Sequence, residues 1–192
     1  MHQSLLRMEI VPFILQFSIL IGLTILGDLL LHVFGLVDVG RHLGIPGTLL
    51  IIFGLSYSFR KRKVLTIGTP RLFLRIHETC TWLGTLMVLI HAGVHFNTLL
   101  PWLATLAMII NVVSGLVGRY LLGRSQRFLA LKRKEHLDRG LSRKEVDSRM
   151  FFDAVTFELM TRWRTIHLPI SMTLATLVLG HVVSILMFWD WR

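Results

Sequence analysis

The chain is short of charge and nearly without cysteine. Only 17% of its 192 residues are Asp, Glu, Lys or Arg, against about a quarter in ordinary soluble domains. One cysteine, Cys80, excludes an intramolecular disulfide framework and, with no CxxC pair, an all-cysteine zinc or iron–sulfur centre within the chain. Acidic residues are scarcer than basic ones, 11 against 21, for a formal charge of +10. What is abundant is apolar: 53% of residues, with a mean hydropathy of +0.64. A chain so apolar and so basic must keep its charge apart from its hydrophobic runs, and a bilayer enforces that separation. The nine histidines are then the only plentiful class of metal ligand. No internal repeat or low-complexity tract stands out.

Runs without Asp, Glu, Lys or Arg mark the spans. Ile10–Gly27 is uncharged, and its apolar pattern continues past Asp28 to about Leu36. Leu43–Phe59 is uncharged and ends at Arg60-Lys61-Arg62-Lys63. Thr79–Gly118 is uncharged throughout and long enough for two helices, with a break offered at Asn97 to Pro101; Thr165–Trp189 is the last such run. A span needs roughly 20 apolar residues. The expectation is an all-α integral membrane protein, a single membrane domain over 1–192 with five transmembrane helices at about 11–35, 42–60, 72–97, 101–123 and 164–188. The first reads as a retained span rather than a cleavable signal. All of the 21 basic residues except Arg41 and Arg192 fall on one side of this topology. By the positive-inside rule the N-terminus is inside and the C-terminus outside, and the small size leans towards the cytoplasmic membrane of a bacterium or archaeon.

The connection 124–163 is the one sizeable soluble piece, read as a helix, a turn near Gly140-Leu141-Ser142, and a second helix leading into the last span. Ser142 followed by Glu145 fits a capping box. Its Lys and Arg follow from topology and anionic lipid rather than from nucleic acid. Its apolar residues, among them Phe128, Leu131 and Phe152, exceed what a solvated hairpin leaves in water, which points to docking of a partner subunit, with folding onto the bilayer surface as the alternative.

Ionisable residues within spans are costly and are usually functional. His77 and His91 stand at i and i+14 on the third span, and His167 and His181 repeat that spacing on the fifth. At 3.6 residues per turn, 14 steps return to nearly the same face about 21 Å along the axis. The third and fifth spans run parallel, so His77 shares a depth with His167 near the inside, and His91 one with His181 near the outside. Two imidazoles opposed at each of two depths are what bis-histidine haem ligation requires. Small residues recur at the same spacing, Gly40 with Gly54 and Ala104 with Gly118; Gly54 and Gly118 are candidates for haem clearance, although small residues also serve helix packing.

These histidines, in IHETCTWLGTLMVLIHAGVH and IHLPISMTLATLVLGHV, carry a resemblance to the diheme b-type cytochromes, including cytochrome b and the ferric reductase transmembrane domain, whose four-helix cores hold two His on each of two helices. The resemblance implies that spans two to five, roughly 42–188, form a four-helix bundle around two haems b, with His77, His91, His167 and His181 as the axial ligands of the haem iron. It implies an electron-transfer subunit passing electrons between a quinone pool or outer partner and a redox partner subunit carrying flavin, iron–sulfur or haem. Two departures limit it: there is no flavin or nicotinamide domain, and no Pro-Glu-Trp quinol motif.

Further candidates surround this set. His95, one turn past His91, is an alternative outer ligand or a contact for a propionate or quinone. Asp28 and His32, i and i+4 on the first span, suit proton transfer from a bound quinol, or form a solvated helix-end pair. Arg75, Arg119 and Arg164, with Arg71 and Arg162, lie near the inner ends of the haem-bearing spans, where carboxylate propionates need cationic partners; topology alone also accounts for them. Glu78 is either a proton-uptake group or an ion-pair partner, and Cys80 is packing. No residue is singled out as catalytic. The competing functions are a transporter or metal permease using intramembrane His, which lacks the inverted repeats expected of it, and a structural membrane anchor for a soluble enzyme.

Overall fold

A computed structural model describes residues 5–94, 99–118 and 123–188, with side chains described outside 5–10, 94, 123–129, 149, 151–157, 159–161 and 163–164. All regular structure among the described residues is helical: α1 (Leu5–Val33), α2 (Val37–His42), α3 (Gly44–Gly54), α4 (Ser56–Lys61), α5 (Pro70–Val94), α6 (Leu99–Leu116), α7 (Gly123–Asp138), α8 (Arg143–Arg149) and α9 (Phe151–Phe188). Among the described residues four stretches are long and apolar enough to cross a membrane: Val11–Val33, Val37–Lys61, Leu99–Leu116 and Thr165–Phe188. α5, with 25 residues, has the length of a fifth. It falls short in hydropathy because Arg71, Arg75, His77 and Glu78 occupy its first turns and its described uncharged part is only Thr79–Val94.

The chain divides into two compact units, Ser18–Thr105 and Met1–Phe17 with Leu106–Arg192. In the first, α1 ends in a Schellman turn. Leu36 N–H bonds Leu31 O at 2.8 Å and Gly35 N–H bonds His32 O at 3.2 Å, with Gly35 at φ +66°, a conformation that costs glycine nothing. The chain then runs back through α2, α3 and α4 as one helical stretch with single-residue interruptions at Leu43 and Leu55. α5 packs antiparallel along all three. Their closest approach is at Gly47 and Gly84: a Cβ on Gly84 would lie 2.6 Å from Gly47 O, and one on Gly47 2.9 Å from Gly84 O. Only hydrogen fits at either position, so the two backbones touch, as in small-residue membrane interfaces. Arg60 caps the connection by donating through Nε and a terminal nitrogen to Gly68 O, at 3.1 and 2.9 Å.

In the second unit, α7 and α8 form a hairpin outside the apolar stretches. Gly140, φ +78°, closes α7 with a second Schellman turn through Leu141 N–H to His136 O and Gly140 N–H to Leu137 O. Ser142 then starts α8 with a complete capping box to Glu145, as the S-x-x-E spacing predicts. Val146, fully buried, and the Arg133–Asp147 ion pair at 2.9 Å close the hairpin. α9 continues for 38 residues, roughly 57 Å at 1.5 Å per residue, so it carries its apolar part, Thr165–Phe188, well beyond its charged first turns. The expected break at Asn97 begins at a residue outside the described set; Pro101 sits in the first turn of α6, where a missing N–H costs no helix bond.

Candidate functional site

His77 and His91 lie on one face of α5, both turned to the helical stretch that α5 packs against. His77 Nδ1 is 3.0 Å from Gly54 O, and His91 Nδ1 is 3.3 Å from Gly40 O. A carbonyl oxygen only accepts, so each Nδ1 carries the proton and donates it. In the neutral form of either ring the lone pair then lies on Nε2, the atom a metal would take. Anchoring one ring nitrogen so that the other is presented as donor is the usual arrangement around metal-ligating histidine.

The two acceptors belong to the interruptions in the facing helices. At the α3–α4 break Ser58 N–H turns back to Leu55 O, and Gly54 O bonds the imidazole. At the α2–α3 break Leu43 N–H bonds Gly40 O at 3.2 Å, and the same oxygen accepts from His91 on its second lone pair. Gly40 and Gly54 repeat the i, i+14 spacing of the two histidines, in antiparallel register with them. Space is left as well: a Cβ on Gly44 would come within 2.8 Å of the His91 ring. Tyr57 covers His77 with ring centroids 5.7 Å apart, and Thr81 Oγ1 donates to His77 O at 2.6 Å.

The spacing argument offers Gly54 as clearance for a cofactor. The structure gives its open side to α5: a Cβ there would meet Thr81 Cγ2 at 3.0 Å and His77 Nδ1 at 3.6 Å. Gly118 has nothing within 4 Å of a Cβ position.

In the other unit His167, half-buried on α9, sets its Nδ1 3.0 Å from Ser114 Oγ of α6. Ser114 is 1% exposed. One turn on, Ser171 Oγ lies 2.8 Å from both Asn111 Oδ1 and His167 O. The His167 ring lies beside Gly115, its Cε1 3.7 Å from a Cβ position, ordinary contact distance. His181 is half-buried on α9, its carbonyl accepting from Ser184 Oγ at 2.8 Å. The pairs His77 with His167 and His91 with His181 draw one residue from each unit.

Asp28 packs over Gly93 of α5, its Oδ1 3.1 Å from a Cβ position there, close in the chain to His91. That oxygen is buried with no hydrogen-bond partner among the described residues. It lies 3.5 Å from His32 Nδ1, which itself reaches Asp28 O at 2.8 Å. His95 and Arg119, and the side chain of Arg164, fall outside the described residues. Arg75 and Arg71 are exposed, and Arg162 pairs with Glu158 at 2.7 Å. Asp38 pairs with Arg41 at 3.6 Å, an ordinary surface contact.

Ser114, Asn111 and Ser171 were not among the sequence candidates. Their signal was available: polar residues at i, i+3 in an otherwise apolar span, and a Ser one turn after a ligand-type His. The carbonyl acceptors carried no such signal, because a backbone oxygen has no residue type.

Among the described residues no three His, Cys, Asp or Glu side chains converge as a metal cage would require; axial haem ligation asks for two imidazoles separated by a porphyrin. No family model matches the chain, and no curated protein or solved structure matches it.

Proposed function

We propose that the chain is the membrane subunit of an electron-transfer complex, a diheme b-type cytochrome of five spans with its N-terminus inside. The observation that carries this reading is the anchoring of imidazole Nδ1. On α5 two rings at i and i+14 donate to two glycine carbonyls at that same spacing, which in the neutral ring places the lone pair on Nε2, where a haem iron would take it. On α9 the ring at the matching position, His167, is also held through Nδ1. Haem bound between imidazoles supplies one-electron transfer.

The protein's own part is to hold neutral imidazoles rigidly at two depths. His77 with His167 would take the inner site and His91 with His181 the outer one. The lock between α3 and α5 at Gly47 and Gly84 fixes the α5 pair against a stretch apolar enough to cross a membrane. That contact also supports α5 as a fifth span: His77 lies opposite Gly54 and His91 opposite Gly40, so α5 occupies the depth of Val37–Lys61. An ionisable or polar residue on such a helix is tolerable because protein, not lipid, covers that face.

With a span at α5, the basic segments 60–75 and 119–164 fall on the inner side and the cell membrane orientation follows. Asp28, with one carboxylate oxygen buried and unbonded among the described residues, and His32 are the groups we assign to receiving protons from a quinol at the outer side. The chain holds no flavin or nucleotide motif, so a partner subunit carrying flavin, iron–sulfur or haem completes the path at the inner side, near the α7–α8 hairpin.

The test is the absorption spectrum of the purified chain before and after dithionite. Sharp b-type bands with two haems per chain are expected. A colourless preparation from cells with ample haem sinks the reading and returns the histidines to a transporter or an anchor.

A further inference from the structure

The polar groups facing one another on α6 and α9 give a role to a residue outside the histidine set. We propose that Ser114 is the positioning residue of His167, its buried hydroxyl accepting from Nδ1–H and thereby fixing both the plane of the ring and the placement of its lone pair on Nε2. The direction of this contact and its consequence for a cofactor rest on the haem reading; the 3.0 Å approach of the two groups does not.

The hydroxyl is 1% exposed and 3.0 Å from Nδ1. A serine can accept or donate, so the contact admits two tautomers. If Ser114 donated, the lone pair would sit on Nδ1 and the proton on Nε2, and the ring would present a proton where iron needs a lone pair. If Ser114 accepts, His167 adopts the tautomer that the glycine carbonyls force on His77 and His91. Its neighbours hold it in place for this. Ser171 Oγ meets two acceptors, Asn111 Oδ1 and His167 O, each at 2.8 Å, so Ser171 is the donor of that contact. Asn111 and Ser114 share one face of α6 at i, i+3, and His167 and Ser171 one face of α9 at i, i+4. The two contacts bracket one turn, which sets the rotation of α9 about its axis as well as the height of His167.

The anchors differ in one practical respect. Those of His77 and His91 are backbone oxygens, which no side-chain substitution removes. Ser114 is the described anchor that can be deleted while the helix stays. Loss of such an outer partner typically weakens metal affinity by about 10–100-fold, and here the loss should fall on one haem.

The experiment uses the full chain in detergent or nanodiscs, as wild type, Ser114→Ala and Ser114→Thr. Haem content and a redox titration are measured on preparations grown with haem, and the His167 tautomer by imidazole 15N shifts on haem-free preparations. Ser114→Ala should release one haem about 10–100-fold more readily, shift the midpoint potential of that haem alone, and convert His167 from Nδ1–H to a mixture of tautomers; Ser114→Thr should restore all three. A Ser114→Ala protein with both haems at wild-type potentials overturns the role of Ser114 and leaves the haem reading standing. A wild-type chain that takes up no haem overturns the haem reading, and the 15N shifts then decide Ser114 alone: an Nε2–H tautomer, or one unmoved by Ser114→Ala, overturns it. Should Ser114→Ala fail to fold, Ser114→Cys, close in volume and a weak acceptor, makes the same comparison.

Discussion

α5 and α9 carry the same pair of histidines in opposite surroundings. α5 is lined by α2, α3 and α4 and buries Thr85, Leu89 and Ala92, each under a tenth exposed. α9 buries Leu174 and leaves Leu179, Ile185, Leu186 and Met187 open. Hydropathy follows the surroundings: the apolar part of α9 qualifies as a span, whereas α5 does not. A helix with a face covered by its own unit can carry His and Thr there, because neighbouring backbone satisfies the polar groups. On α9 the described polar contacts to a neighbouring helix run to Ser114 and Asn111 of α6. Hydropathy therefore reports composition alone, and a helix that packs polar residues within its own unit scores lower on it.

The largest effect should break or uphold the equivalence of the two helices. If each haem draws one ligand from α5 and one from α9, His77→Ala and His167→Ala must lose the same haem, and His91→Ala and His181→Ala the other. Combining the two substitutions of one pair should then remove no more haem than either alone. Haemochrome quantitation with low-temperature spectra reads this. If His77→Ala and His91→Ala affect one haem together, the pairing across helices is wrong; if His95→Ala alone reproduces His91→Ala, His95 is the outer ligand.

The second effect sharpens the difference in packing. Gly84→Ala places a methyl 2.6 Å from Gly47 O and 2.8 Å from Ile51 Cγ1. A backbone oxygen cannot swing aside, so α3 and α5 must separate, at a cost of about 1–3 kcal/mol typical of overpacking. Gly115→Ala on α6 meets only His167 Cε1 at 3.7 Å, ordinary contact, and should gain about 0.5–1 kcal/mol from helix propensity. Thermal midpoints of the two variants in one detergent should move in opposite directions. Equal destabilisation would mean that the α5 contact is no tighter than the α6–α9 one.

This contrast also explains what could be read in the sequence. The apolar runs gave the spans of α1, α2–α4, α6 and α9, and the capping box at Ser142 and the turn at Gly140 were legible because their chemistry lies in residue types. The histidine spacing was legible for the same reason. The interruptions at Leu43 and Leu55 were not: LGIPGTLLIIFGLSYSF reads as one apolar run, and the contacts of Gly40 O and Gly54 O with His91 and His77 depend on a partner helix that only the fold supplies. Nor was it legible that the open side of Gly54 faces Thr81 and His77 of α5.

A smaller effect lies on the charged side of the comparison, where α8 leads into α9. Ser142→Ala removes the hydroxyl that accepts from Glu145 N–H at 3.4 Å and donates to its carboxylate at 2.8 Å. Loss of an N-cap costs about 1 kcal/mol. It should appear as faster hydrogen exchange in α8, with no change in haem content, since Val146 and the Arg133–Asp147 pair still close the hairpin. A loss of haem on Ser142→Ala would mean that haem binding depends on the hairpin.

The smallest effect tests whether the first turns of α9 belong to the charged surface or to the inner haem. Arg162 pairs with Glu158 at 2.7 Å, with side chains 76% and 64% exposed. An exposed i, i+4 pair contributes about 0.3–0.5 kcal/mol, so Glu158→Gln should lower stability by no more than that, and molar salt, which shortens the screening length to about 3 Å, should erase the difference. Arg162 stands just before the apolar stretch that holds His167, where on the haem reading a propionate would need a cation, yet its guanidinium is engaged by a carboxylate on its own helix. Glu158→Gln releases it. If Arg162 serves only the surface, the inner haem keeps its potential after this substitution. A shift of that potential, with the outer haem unchanged, would instead place Arg162 within electrostatic reach of the inner haem, with Glu158 as the group that normally offsets its charge.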